Sequence, residues 1–186
     1  METDMFLYIA TANGVFRASP ETVTEHATCL GLTNKGNVRW ILADENKPSR
    51  VWAATERAGV WRTDDAGATW VEKNSGLVYK HTLTLARHKI TGDLYVGTEP
   101  ACIFKSNDDG DTWTELESLR RLPSRIDWTF PNAPYVPHVR GIGLSPSNPD
   151  IVYGAIEEGW LVRSVDEGQR WENIKTGIEF DSHTVT

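Results

Sequence analysis

Three histidines and three glutamates recur at matched places in this chain. His81, His138 and His183 each head an extended run, and Glu56, Glu99 and Glu157 each close one, followed by Arg57, Pro100 and Glu158. Asn37 stands where a fourth histidine would fall, and Ala12-Asn13 where a fourth glutamate would. His26 and His88 lie elsewhere in the pattern. Neutral imidazoles suit zinc, copper or ferrous iron, and a carboxylate beside them can ligate or act as a general base. The set therefore reads as a candidate centre for a divalent transition metal, with His81, His138 and His183 as ligands and Glu99 and Glu157 as catalytic carboxylates. The other reading is that each imidazole hydrogen-bonds a carbonyl inside its own structural unit. The spacing alone matches no metal motif, so the choice depends on the elements that carry these side chains.

A second candidate set lies in the segment 117–137. Arg120, Arg121 and Arg125 offer contacts to an anion or carboxylate, and Trp128, Phe130 and Tyr135 offer stacking surfaces. Prolines 123, 131, 134 and 137 stiffen the segment. A loop of this length in a compact domain is usually functional or disordered. It reads either as a ligand-binding loop for a small molecule or a protein, or as a cover packed over apolar side chains.

The elements that must position these residues repeat. Leu7-Tyr8-Ile9-Ala10-Thr11, Val51-Trp52-Ala53-Ala54-Thr55, Leu94-Tyr95-Val96-Gly97-Thr98 and Val152-Tyr153-Gly154-Ala155-Ile156 are all rich in β-branched and aromatic residues. Each precedes a second run: Val15-Phe16-Arg17, Val60-Trp61-Arg62, Ile103-Phe104-Lys105 and Leu161-Val162-Arg163. The period is near 43 residues, lengthened once by the insertion at 117–137. Several short strands per unit at this period predict propeller blades, and no apolar stripe of helical period is present.

Lettering the strands of a unit A to D from the centre outward, the pattern predicts A, B, C and D at about 37–43, 51–55, 59–63 and 69–73 in the second unit. The third unit follows at 81–87, 94–98, 102–106 and 112–116, and the fourth at 138–145, 151–156, 160–164 and 170–174. The first unit, about 5–25, begins with a B strand, and 181–186 reads as an A strand without its blade. The expectation is a single all-β domain over 1–186, a β-propeller of about four four-stranded antiparallel blades. The two ends could complete one blade, two copies could close a larger ring as a homo-oligomer, or the chain could be part of a larger propeller. In such a fold the B–C and D–A loops share one face. That face would collect the histidines, the glutamates and the insertion, with each His opposite a Glu across the A–B pair.

After each C strand comes an octapeptide turn: Thr63-Asp64-Asp65-Ala66-Gly67-Ala68-Thr69-Trp70, Ser106-Asn107-Asp108-Asp109-Gly110-Asp111-Thr112-Trp113 and Ser164-Val165-Asp166-Glu167-Gly168-Gln169-Arg170-Trp171. The Asp accepts N–H groups of its own turn, the Gly supplies positive φ, and the Trp is expected to open strand D and pack back over the turn. These turns resemble the Asp-box, Ser/Thr-x-Asp-x-Gly-x-Thr-Trp, of bacterial neuraminidase (BNR) repeat propellers. The resemblance covers roughly 5–186, without a box in the first unit. It implies a structural role for Asp65, Gly67, Trp70, Asp108, Gly110, Trp113, Asp166, Gly168 and Trp171. The nearest relatives implied are sialidase-like proteins and photosystem II stability/assembly-factor-like proteins. A true sialidase would carry an arginine triad and an Arg-Ile-Pro segment near its N-terminus. That segment is absent, and Arg17 and Arg39 do not rebuild it.

The fold class leaves function open between a binding or assembly platform and a metal-dependent hydrolase or lyase; a glycoside hydrolase would need two paired carboxylates. A net charge of −7 argues against nucleic acid as a partner. No apolar run approaches the roughly 20 residues that span a bilayer, and Met1-Glu2-Thr3-Asp4 is not the start of a signal peptide. Cys29 and Cys102 make no disulfide framework, which predicts a reducing, cytoplasmic setting. Phosphate-binding Gly-rich loops, nucleophile elbows and paired-Cys motifs are absent.

Overall fold

The apolar runs become antiparallel strands whose order in each sheet is their order in the chain. The computed structural model describes residues 6–21 and 26–185; residue 5, residues 22–25 of the first repeat and Thr186 of the final segment lie outside the described residues. The first sheet has three strands, β1 (Leu7–Thr11), β2 (Gly14–Ala18) and β3 (Thr28–Gly31). Three four-stranded sheets follow. They are β4 (Val38–Ala43), β5 (Val51–Thr55), β6 (Gly59–Thr63) and β7 (Val71–Glu72); then β8 (His81–Arg87), β9 (Leu94–Glu99), β10 (Cys102–Ser106) and β11 (Thr114–Glu115); then β12 (His138–Leu144), β13 (Val152–Glu157), β14 (Trp160–Ser164) and β15 (Glu172–Ile174). The first sheet reaches Gly31, six residues beyond the repeat boundary expected near 25, because its outer strand is Thr28–Gly31. Residues 182–185 belong to no strand.

The core lies between sheets rather than within one. Val15, Leu32, Val38 and Ala53 pack between the first two. Trp52, Leu85, Val96, Phe104 and Trp113 pack between the second and third, and Tyr95, Ile103, Val139, Ile156 and Trp171 between the third and fourth. Strand β5 is buried at all five positions, as a strand covered on both faces must be. The innermost strands β4, β8 and β12 neighbour one another in that order, and β1 neighbours β4. The sheets are thus blades set around a common centre, the propeller expected from the repeat.

Each of these three inner strands carries a bulge at the same place. The register with the partner strand shifts between Val38 and Trp40, between Thr82 and Thr84, and between Val139 and Gly141. The extra residues are Arg39, Leu83 and Arg140. A bulge re-aims the side chain it releases, and here all three line one concavity at the centre.

The octapeptide turns share one hydrogen-bond scheme. Asp108 accepts from Ser106 Oγ at 2.7 Å, from the Thr112 N–H at 2.9 Å and from the Thr112 hydroxyl at 2.6 Å. Asp65 does the same with Thr63 and Thr69. Asp166 does so with Ser164 and Arg170, whose Nε replaces the Thr hydroxyl at 2.8 Å. Asp109 and Gly110, at φ 59° and 88°, give the two successive positive φ values of a tight hairpin turn.

The tryptophans act differently from the expectation. Trp70, Trp113 and Trp171 precede their outer strands instead of opening them. The indole Nε1 of Trp70 donates to the Leu30 carbonyl at 3.0 Å, and that of Trp113 to the Lys73 carbonyl at 2.9 Å, each on the preceding blade. At these two turns the neighbouring blade supplies the acceptor that an indole N–H needs, whereas the Trp171 indole N–H is buried without a partner among the described residues. The outer strands are correspondingly short.

These hydrogen bonds set an acid limit on stability. The Thr69 hydroxyl and N–H, with Thr63, hold the Asp65 carboxyl down from 3.8 to about 2. Burial pushes Asp108 up, but Thr112 and Ser106 outweigh it and its value is lowered; Arg170 lowers that of Asp166. A depressed folded value means the stabilisation is complete above the unfolded value of 3.8 and is lost as pH falls through about 2. Melting followed by circular dichroism should therefore fall across that window. Asp108→Ala should cost about 1–3 kcal/mol at neutral pH through its lost hydrogen bonds. A variant melting with the wild type would contradict the scheme.

Candidate functional site

The inner rim is built by two backbone constraints. Within a blade, the A–B register sets His81 opposite Glu99 and His138 opposite Glu157. Between blades, the residue before each of these histidines is tied to the B–C turn of the blade before. The Gly59 N–H donates to the Lys80 carbonyl at 2.9 Å, and the Ala101 N–H to the Pro137 carbonyl at 2.7 Å. Each imidazole is thereby set against its own blade's glutamate, and His138 also lies beside the preceding blade's Glu99. At the last junction Gly159 and Trp160 both donate to the Phe180 carbonyl, at 3.0 and 2.9 Å, which brings the 181–185 segment to the same place.

The outcome is a row of alternating carboxylates and imidazoles. His81 Nδ1 lies 3.2 Å from Glu99 Oε1, and His138 Nδ1 lies 3.4 Å from Glu99 Oε2. The second contact lacks hydrogen-bond alignment and is attractive only when the ring carries a proton on both nitrogens. His138 Nε2 meets Glu157 Oε2 at 2.7 Å. An ionised carboxylate only accepts, so that nitrogen is assigned the proton. His183 Nε2 lies 3.6 Å from Glu157 Oε1 and 2.9 Å from Asp181 Oδ1. His138 is the most enclosed member, 4% exposed in its side chain, with the Phe130 ring 4.7 Å from its own.

The bulge arginines join this row. Arg140 Nη1 donates to Glu157 Oε2 at 2.7 Å, and Arg39 Nη2 to Glu56 Oε1 at 2.9 Å. Burial pushes Glu56 up, but Arg39, the Asn37 N–H and nearby His81 together outweigh it, and its carboxyl is lowered. Arg39, Trp40, Leu83, Arg140, His183 and Thr184 line an opening of about 240 Å³. Toward the A–B turn end of the inner strands, Trp40, Leu42, Leu85 and Ile142 line a more apolar hollow of about 280 Å³ that reaches His88 and Ser145. Gly141 lets residues 183–185 lie against β12: a Cβ there would sit 2.9 Å from the Thr184 Cα.

The insertion forms two short 3₁₀ turns, Glu117–Arg121 and Pro123–Asp127. Leu119 and Trp128 are buried in the core between the third and fourth blades. Arg120 pairs with Glu115 and reaches Tyr79 Oη at 3.1 Å; Arg125 donates to the Ala101 carbonyl at 2.6 Å. Arg121 and Tyr135 are exposed.

Among the described residues, Glu157, Asp181 and His183 bring three metal-ligating atoms within 4.8 Å of one another, and His81 and His138 stand outside that group. Asp181, Arg39, Trp40 and Arg140 are rim residues the sequence reading passed over. Asp181 carried a signal, an Asp-x-His spacing that puts both side chains on one side of an extended segment. The bulge that brings in the arginines has no comparable signature in the sequence.

No family model and no curated protein matches the chain. Solved structures do. The GH74 xyloglucanase from Xanthomonas campestris superposes with a TM-score of 0.67 at 13% identity, over 92% of this chain and 28% of that one. The GH74 enzyme from Niastella koreensis gives 0.69 at 16% identity, over 91% and 27%. YCF48 bound to D1 peptide gives 0.58 at 15% identity, over 91% and 51%. At these identities the likeness is one of fold. The chain is an all-β protein of propeller blades. It spans between about a quarter and a half of the length of these structures.

The rim's energetics can be tested by substitution. His138→Leu leaves Glu157 and Glu99 without their bridging ring in an enclosed place, and should cost about 2–4 kcal/mol in chemical denaturation. His81→Leu, at a quarter-exposed site, should cost about 1 kcal/mol or less. The reverse order would contradict the geometry.

Proposed function

We propose that this chain is a binding or assembly platform that engages a protein or a small molecule through its loop-rich face. The observation that carries the reading is the mouth of the centre. Bulges bring Arg39 and Arg140 beside Trp40, which is 40% exposed, around one opening. Tryptophan and arginine are the residue types that dominate binding hot spots. A structure of this fold holding a peptide, YCF48 with D1 peptide, supports the reading. On this reading of the present chain, exposed Arg121 and Tyr135 would contact the ligand, while Arg120, Arg125 and Trp128 hold the loop that presents them. On the same footing, the turns are Asp-boxes of BNR type and the protein works in the cytoplasm.

A second reading is supported by the 2.7 Å contact of His138 with buried Glu157 and by the fold shared with GH74 enzymes. It is a hydrolase or lyase using Glu99 and Glu157, with a metal at His81, His138 or His183. Peptides selected from a phage-displayed library against the wild-type chain separate the two. Trp40→Ala with Arg140→Ala should weaken the selected peptides roughly tenfold or more, in protein whose circular dichroism shows the fold retained at the binding temperature. Peptides indifferent to both substitutions would overturn the platform reading. Polysaccharide cleavage lost in Glu157→Gln would establish the second.

A further inference from the structure

The three junctions along the rim are not equivalent. Two residues before His81 stands Tyr79, and two before His138 stands Val136; two before His183 stands Asp181. The first two junctions meet their imidazole with glutamates of the blades alone, His81 with Glu99 and His138 with Glu99 and Glu157. The third adds a carboxylate from its own segment, where a repeat built only for packing has no use for one.

We infer that Glu157, Asp181 and His183 form a binding site for one divalent transition-metal ion of the zinc type. One ligand atom from each of Glu157, Asp181 and His183 lies within 4.8 Å of the other two. His183 Nε2 lies 2.9 Å from Asp181 Oδ1 and 3.6 Å from Glu157 Oε1. An ion with four ligands at about 2.0–2.2 Å separates neighbouring ligand atoms by about 3.3–3.6 Å, so small side-chain shifts suffice. One imidazole and two carboxylates are a donor set suited to zinc or cobalt(II).

The two oxygens of Glu157 are divided between roles. Oε2 accepts from His138 Nε2 and from Arg140 Nη1, both at 2.7 Å. Oε1 is turned to His183, and no hydrogen bond reaches it among the described residues. Outer hydrogen bonds of this kind orient a ligating carboxylate. Arg140 lies on the oxygen away from the site; its charge lowers affinity without blocking it. Asp181 and His183 are about half exposed, which gives an ion a way in and leaves coordination positions to water or a ligand.

This goes beyond the platform reading and does not depend on it. The test uses the full chain, free of any affinity tag and stripped with a chelator. It is titrated with zinc chloride by calorimetry and with cobalt chloride by visible absorption. One equivalent should bind, and cobalt should show the absorption of a four- or five-coordinate ion. Asp181→Asn and His183→Ala should each weaken binding roughly tenfold or more, with the metal-free melting temperature unchanged; His81→Ala should leave binding within about twofold. Absence of saturable binding, or binding that survives both Asp181→Asn and His183→Ala, would overturn the inference.

Discussion

Each of the inner sheets carries apolar side chains on both faces, so no blade can bury its residues without the next. The junction between blades is the constraint on which everything else rests. It is closed at two radii. On the outer side, at the first two junctions, an indole reaches back to a carbonyl of the preceding blade, Trp70 to Leu30 and Trp113 to Lys73. On the inner side the Glu99 carboxylate lies between His81 of its own blade and His138 of the following one. Between these clamps lie the apolar clusters of Trp52, Phe104, Ile103 and Ile156.

The same clamps create the site. An inner strand must start against the preceding blade's B–C turn, so its first residue falls beside a carboxylate already there. An imidazole suits that place, since it has an N–H for a carboxylate and a ring to pack, as His138 does under Phe130. The rim is therefore structural by origin and chemical by composition. Its departures from the repeat are Arg39 and Arg140 at two bulges and Asp181 at the last junction.

Much of this was legible in the residues, because strand alternation and turn chemistry are local. The placing of inner strands near 37–43, 81–87 and 138–145 rested on their position in the repeating unit and agrees with β4, β8 and β12 within one residue. The opposition of His81 to Glu99 and of His138 to Glu157 follows from that register. What lay hidden depends on contacts between blades. Trp70 and Trp113 read as strand openers because a sequence shows a tryptophan after a turn, not the carbonyl one blade away that draws it back. Trp128 reads as a stacking surface in a polar loop, yet it is buried with Leu119 over Ile156, because the loop folds down on an apolar edge. The bulges have no local signature at all, and with them the direction of Arg39 and Arg140 stayed out of reach.

The claim that successive blades are joined through a shared carboxylate is tested most directly by a double-mutant cycle on Glu99 and His138, measured by urea denaturation. Each residue is replaced by Gln, singly and together. Coupling across the junction predicts that the double variant departs from additivity by about 1 kcal/mol or more. Additivity within about 0.5 kcal/mol would show that the two residues are stabilised each within its own blade, and would contradict the account.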